Sequence, residues 1–261
     1  MYILLFISPS SAKDINSLLD QAIAGEHRSP ENIARDIYRH PKETLLFLDL
    51  QPDMKVLEIL PGRGWYTEIL APVLKDNGEL TVASFGADHP TEYLANIHVE
   101  YMKLLDANPE MYGKVKRSLF KKTSYLEDIP DNSLDMVVTF RNTHNWIRYG
   151  GFEEIYAAFY RVLKPGGILG VVQHRANKDA DAKKSAENGY VPEKTIIMLA
   201  ESLGFELVAS SEINANPKDT RNHPAGVWTL PPTFRMGDLD KDKYMAIGES
   251  DRMTLKFIKI K

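Results

Sequence analysis

Two apolar periods alternate along this chain. Strand-length apolar runs occur at Lys55 to Ile59, Glu79 to Phe85, Leu134 to Phe140, Ile168 to Gln173, Phe205 to Ser211 and Met253 to Ile260, and a further short strand is expected near Lys121 to Tyr125. Between them, helical spacing predicts helices over Ile15 to Ala24, from Ser29-Pro30 onward, over Trp65 to about Leu74, through Tyr101 to Met111, over Phe152 to Leu163 and over Val191 to Leu203. Ser29 is a good helix cap, and Pro30 suits the first helical position because its missing amide would be unpaired there anyway. Strands alternating with helices predict an α/β fold, a seven-stranded and mostly parallel sheet with helices on both faces. The stretch 214–245 breaks the alternation. With its prolines around Asn222-His223-Pro224 it reads as a long ordered loop insertion before the last strand, and loops of that length are usually functional or disordered.

Composition narrows the classes. With 261 residues, 43% hydrophobic and 26% charged, the chain can bury a full core, read as one domain over residues 13–261. A net charge of −4 and no Lys/Arg block longer than a pair argue against a nucleic-acid partner, which requires concentrated positive charge. The absence of cysteine excludes disulfides, a thiolate nucleophile and zinc-thiolate clusters. Residues 1–12, with the apolar run Tyr2 to Ile7 and the small residues Ser10 and Ala12, are read as an export signal; a buried N-terminus in a cytoplasmic protein is the alternative. No later segment approaches the ~20 apolar residues of a membrane span, so no stable membrane insertion is expected. The histidines His89, His144, His174 and His223 could converge on a metal, but they lack the spacing of metal motifs, so no metal ligands are assigned and a histidine metal site is the lesser alternative.

The chemistry starts at Glu58-Ile59-Leu60-Pro61-Gly62-Arg63-Gly64, set between a strand and a helix. Such a turn lets backbone approach a ligand closely, and the helix start favours an anionic group. The segment resembles the glycine motif of class I S-adenosylmethionine (SAM) methyltransferases. Leu134-Asp135-Met136-Val137-Val138 is similar to their fourth strand, and Tyr160-Arg161-Val162-Leu163-Lys164-Pro165-Gly166-Gly167 to their entry into the fifth. More narrowly, Pro61 to Leu70, Gly226 to Pro232 and Gly248 to Phe257 resemble a bacterial group of uncharacterised, often exported, predicted methyltransferases. The resemblance implies a Rossmann-like class I methyltransferase fold, SAM as cofactor and an N-terminal helical lid over residues 13–52.

Three positions depart from the family pattern. Leu60 stands at the first loop glycine, no carboxylate ends the second strand at Ala83-Ser84-Phe85, and Thr123-Ser124 replaces the acidic residue near the adenine. Asp88 and either Glu127 or Asp128 are the candidate substitutes. The cofactor set is then Glu58, Leu60, Gly62, Gly64, Trp65, Tyr66, Asp88, Glu127, Asp128 and Arg141, with core packing as the alternative for Trp65 and a structural bond to the turn as that for Glu58.

Ligands of such sheets bind beyond the carboxyl ends of the strands. Arg141, Asn145 and His144 follow the fourth strand and His174 ends the fifth; these are the candidate catalytic residues, since a histidine can take the acceptor's proton. The alternative for each histidine is a strand-end cap. Tyr38, His40, Trp146, His223 and Trp228 are candidate lining residues of the acceptor pocket. The expected function is SAM-dependent methyl transfer to a small-molecule acceptor. A fold that keeps a ligand but has lost or changed the chemistry is the alternative.

Overall fold

The computed structural model describes residues 14–122 and 124–261; the segment read as an export signal and Thr123 lie outside the described residues. Strands β1 (Lys55–Ile59), β2 (Glu79–Ser84), β3 (Lys116–Leu119), β4 (Leu134–Phe140), β5 (Leu163–His174), β6 (Phe205–Ser211) and β7 (Arg252–Lys259) form one sheet in the order β3-β2-β1-β4-β5-β7-β6. β7 runs antiparallel to β5 and β6, and the other pairings are parallel. This is the mostly parallel α/β sheet expected from the alternation of elements, in the Rossmann-like methyltransferase arrangement that the resemblance implies.

Helices precede and cover the sheet: α1 (Ile15–Ile23), α2 (Pro30–Ile33), α3 (Asp36–Arg39), α4 (Pro41–Phe47), α5 (Thr67–Leu74), α6 (Glu92–Ala107), α7 (Pro109–Tyr112), α8 (Thr143–Tyr149), α9 (Phe152–Val162), α10 (Ala182–Glu187), α11 (Glu193–Ser202) and α12 (Lys241–Ile247). Successive strand residues point to opposite faces, so each central strand feeds two cores. Leu57 of β1 and Val137 of β4 pack with Ile155 and Phe159 of α9 and Ile196 of α11. Their neighbours Val56, Met136 and Val138 pack on the other face with Leu19, Leu45, Ile69 and Leu70.

Three elements differ from the sequence reading. The third strand lies at Lys116–Leu119, not near Lys121 to Tyr125. It is an edge strand with only Ser118 buried, so it shows no apolar run to find. The helix expected through Tyr101 to Met111 begins at Glu92 and stops at Ala107, before Pro109, whose ring and missing amide cannot continue it. Its first half is exposed or half-buried, with its apolar residues interrupted by Glu92, Asn96 and His98, which hid its start. Within the stretch 214–245, the chain forms a 3-10 turn at Gly226–Thr229 and then enters α12. No helix among the described residues is long and apolar enough to cross a membrane.

Candidate functional site

The loop from β1 to α5 carries left-handed backbone at Leu60 (φ 48), Gly62 (φ 63) and Gly64 (φ 87). A leucine pays a steric cost there that glycine does not. Its amide donates to the Ala83 carbonyl at 2.8 Å, tying the loop to the end of β2. The Leu60 side chain packs against the core cluster that contains Ile59 and Ala83. Space above Gly62 is open: a Cβ built there would meet nothing within 4 Å. At Gly64 the same atom would lie 2.6 Å from Leu104 Cδ2, so that glycine is required by close packing of α6.

Glu58 is buried beneath this loop. Its Oε2 accepts from Thr67 Oγ1 at 2.6 Å, and that hydroxyl meets the Tyr101 hydroxyl at 2.9 Å. Burial raises its pKa to about 7, against the opposing hydrogen bond from Thr67. β2 ends in Ser84, whose hydroxyl contacts His98 Nδ1 at 3.0 Å. Asp88 is exposed, and its carboxylate folds back into the space a Cβ on Gly86 would need. Glu127 and Asp128 are exposed, and Asp128 accepts from Ser118 Oγ at 3.0 Å.

The carboxyl ends of β4 and β5 bring two histidines together. Asn142 Nδ2 donates to the Ile59 carbonyl at 3.0 Å, locking the ends of β4 and β1 in register. His144 and His174 are 4% and 8% exposed, with ring centroids 5.7 Å apart, and Trp228 lies 5.8 Å from His144. His144 Nδ1 faces Gln173 Nε2 at 3.3 Å, and His174 Nδ1 faces the Ser250 hydroxyl at 2.5 Å. Burial lowers the His144 pKa to about 4; the Gln173 contact resists, while Arg141 and Arg148 add to the fall. Burial also lowers the His174 pKa well below its ordinary value, with His144, Arg141, Arg252 and Arg39 acting in the same sense. Both rings are therefore neutral at pH 7. Asn145 is half-buried beside them, with its amide bonded to the Asn142 carbonyl.

Beside the histidines lies a cluster that the sequence reading identified only through Arg141. Arg252 sits directly opposite His174 in the β5–β7 ladder. Arg35 Nε, Arg39 Nε and Arg252 Nη2 all reach the Glu249 carboxylate, at 2.6, 3.3 and 3.2 Å. Burial pushes the Glu249 carboxyl upward, but Arg39, Arg252, Arg35 and Arg141 outweigh it and hold it well below the usual carboxylate range. Arg141 has left-handed backbone (φ 65) at the end of β4, and it makes no ion pair among the described residues. Burial, with Arg35 and Arg252 in the same sense, lowers its pKa to about 10 despite Glu249. The Tyr66 ring stacks on Phe140 at 3.5 Å, and its hydroxyl feels Arg39, Arg252 and Arg141. The polar run Glu249-Ser250-Asp251, which leads into Arg252 at the start of β7, marks this edge as polar, but nothing in it names Arg35 and Arg39 as partners.

Other expected site residues sit elsewhere. Trp146 belongs to the core, with its ring against Phe120, Tyr156 and Phe159, because the space below α8 is lined by large apolar side chains. His223 bonds Asp219 at 2.8 Å, and that carboxylate also takes the Tyr190 hydroxyl and the Asp251 amide, so the ring is committed to a buried network. Trp65 is 5% exposed, donates to the Asn32 carbonyl at 2.9 Å and lies under the Arg39 and Arg28 guanidiniums. It ties α5 to the N-terminal helices. Tyr38 is half-buried; its carbonyl accepts from Arg252 and its ring abuts Gly248. His40 is half-buried and left-handed between α3 and α4, with Nδ1 unpaired. Because His89 packs on Phe85 and His223 is paired with Asp219, the four histidines considered above do not converge, and no metal-ligating group is found among the described residues. Two surface clefts, one beside Ala71 and Lys114 and one beside Asp53 and Lys164, flank the amino ends of the strands and contain none of these residues.

Comparison with known proteins agrees with this geometry. A family profile described as a methyltransferase domain matches residues 80–171, less than half of the chain. The chain is 27% identical over 136 residues to a sterol 24-C-methyltransferase of Yarrowia lipolytica, covering 52% of this chain and 31% of that protein. It is 25% identical over 197 residues to the corresponding Neurospora crassa protein, covering 70% and 48%. It thus spans about a third to a half of the length of the curated relatives it matches. A SAM-dependent methyltransferase from Aquifex aeolicus shares the fold at TM-score 0.58 and 14% identity, over 95% of this chain and 100% of that one. A (4+2)-cyclase does so at TM-score 0.57 and 17% identity, over 94% and 92%. The domain match over residues 80–171 and the shared fold are both of the methyltransferase type.

Proposed function

We propose that this protein transfers a methyl group from SAM to a small-molecule acceptor. One observation carries the reading: the loop between β1 and α5 keeps a glycine-type left-handed backbone at Leu60, with its side chain on the core cluster and open space above Gly62. A Leu60 side chain held on the core would leave the ligand side of the loop free, which supports the reading. The residues present fit the cofactor in kind. Gly62 permits close backbone approach, and Asp88, folded over Gly86, is a carboxylate near the end of β2. Glu127 or Asp128 would serve the adenine side.

When bound, SAM supplies an electrophilic methyl on a sulfonium. The chain's part is then positioning and proton handling, which carry much of the rate in such a displacement. His144 is neutral at pH 7 and able to accept a proton from the acceptor. His174, set by Ser250, and Gln173 hold it in place. Arg141 and Asn145 flank His144 in the chain after β4, and Tyr38, His40 and Trp228 are the proposed walls of the acceptor site.

A second reading has a specific observation in its favour. Ser84 at the end of β2 contacts His98 and offers no carboxylate, and the fold also carries a cyclase, so the chain would bind another ligand. Calorimetric titration of SAM into wild type and Leu60→Gly separates the two. Methyl transfer predicts micromolar binding by wild type, changed less than threefold by Leu60→Gly. Absence of binding in wild type, restored by Leu60→Gly, would instead mark a loop closed to SAM.

A further inference from the structure

We infer that the arginines gathered at the carboxyl edge of the sheet form a subsite for an anionic group of the acceptor, a carboxylate or a phosphate. The inference rests on the methyl-transfer reading for the word acceptor; the anion subsite itself stands on the geometry alone.

Arg35, Arg39 and Arg252 share one carboxylate, that of Glu249, and Arg141 adds a further cation with no ion pair among the described residues. Each guanidinium carries five N–H donors in a fixed fork. Glu249 cannot satisfy them: Arg35 Nη2 and both Arg39 Nη1 and Nη2 are buried without a hydrogen-bond partner. Arg39 is 1% exposed. Buried charged donors left unpaired are rare and costly in folded proteins, and their concentration at one place points to a ligand that completes them. A purely structural cluster would pair its charges, as Arg175 does here with Asp251 and Glu212.

Location links the cluster to the acceptor. Arg141 ends β4 in a strained left-handed conformation just before His144, and Arg252 faces His174 across the ladder. An oxyanion among these forks would receive charge-assisted, two-pronged hydrogen bonds, and the rest of its molecule would lie beside the neutral histidine pair. Trp228, beside His144, offers an apolar wall for that remainder.

Inorganic phosphate and benzoate, titrated by calorimetry into the full chain saturated with S-adenosylhomocysteine, test the subsite. Wild type is expected to bind at least one of them with a millimolar or tighter dissociation constant. Arg141→Gln, which breaks no ion pair, and Arg39→Gln are expected to weaken it tenfold or more, and Arg39→Gln is expected to change S-adenosylhomocysteine affinity less than threefold. A stronger response to phosphate or to benzoate identifies the group. The inference is overturned if neither anion binds wild type, if folded Arg141→Gln binds as wild type does, or if anion and S-adenosylhomocysteine exclude one another, which would assign the arginines to the cofactor's own carboxylate. Should S-adenosylhomocysteine fail to bind while the anion binds with the same arginine dependence, methyl transfer falls and the anion subsite stands.

Discussion

Glu249→Ala is expected to be among the most destabilising substitutions in this protein, by about 3–5 kcal/mol, the usual cost of removing one partner from a buried ion pair. The carboxylate is 4% exposed and is the shared partner of Arg35, Arg39 and Arg252. Removing it leaves like charges facing each other in a dry setting. At about 2–4 °C per kcal/mol for a chain of this class, the melting temperature should fall on the order of 10 °C in calorimetry. Glu249→Gln keeps the shape and should lose nearly as much, which separates charge from packing. The advantage of wild type over Glu249→Gln should also depend on pH. Its carboxyl titrates well below 4.5 when folded, so the stabilisation is present above about pH 4.5 and is lost as pH falls toward the folded value. A shift under 2 °C for both variants would mean that the guanidiniums are balanced by something other than Glu249.

Acid should destabilise the fold through its buried histidines before the exposed carboxylates matter. His144 drops from 6.5 to about 4 on folding, chiefly through burial. Between those values the unfolded chain binds the proton and the folded chain does not, so stability falls with falling pH, by about 3 kcal/mol at ~1.4 kcal/mol per pH unit. His174, lowered in the same way, acts in the same direction. Glu58 opposes them. Its folded pKa of about 7 lies above the ordinary 4.5, so it contributes stability fully present below pH 4.5 and lost as pH rises through 7. Denaturant unfolding at a series of pH values from 8 to 4 resolves the terms by variant. His144→Gln should flatten the acid limb, and Glu58→Gln should steepen it while making the protein more stable than wild type above pH 7. An unchanged pH profile in His144→Gln would show that the ring is not held neutral by its surroundings.

The particular residues explain what could be read early. Val56, Leu57 and Ile59 announce β1 because a doubly covered strand needs apolar side chains on both faces, and Pro165-Gly166-Gly167 announces the entry to β5. Lys116–Leu119 announced nothing, since an edge strand can be polar. Trp146 was misjudged for a related reason. An aromatic ring near a strand end suits a pocket and a core equally well in sequence, and only the presence of Phe120, Tyr156 and Phe159 around it decides.

Leu60 shows the same division at a single position. Its identity announces a departure from a glycine-rich loop, yet its backbone holds φ 48 and its side chain leaves the loop for the core, outcomes set by neighbours on other strands.

By itself, then, the sequence determined the alternation of strands and helices and the place of the glycine-containing turn between β1 and α5. Each of these is written in spacing over a few residues, through side-chain period and glycine backbone freedom. Tertiary structure alone decided which charges meet. Arg35 and Arg39 reach Glu249 across 214 and 210 residues of chain, and no local pattern encodes a contact made only when the N-terminal helices and the last strand close on the same edge of the sheet.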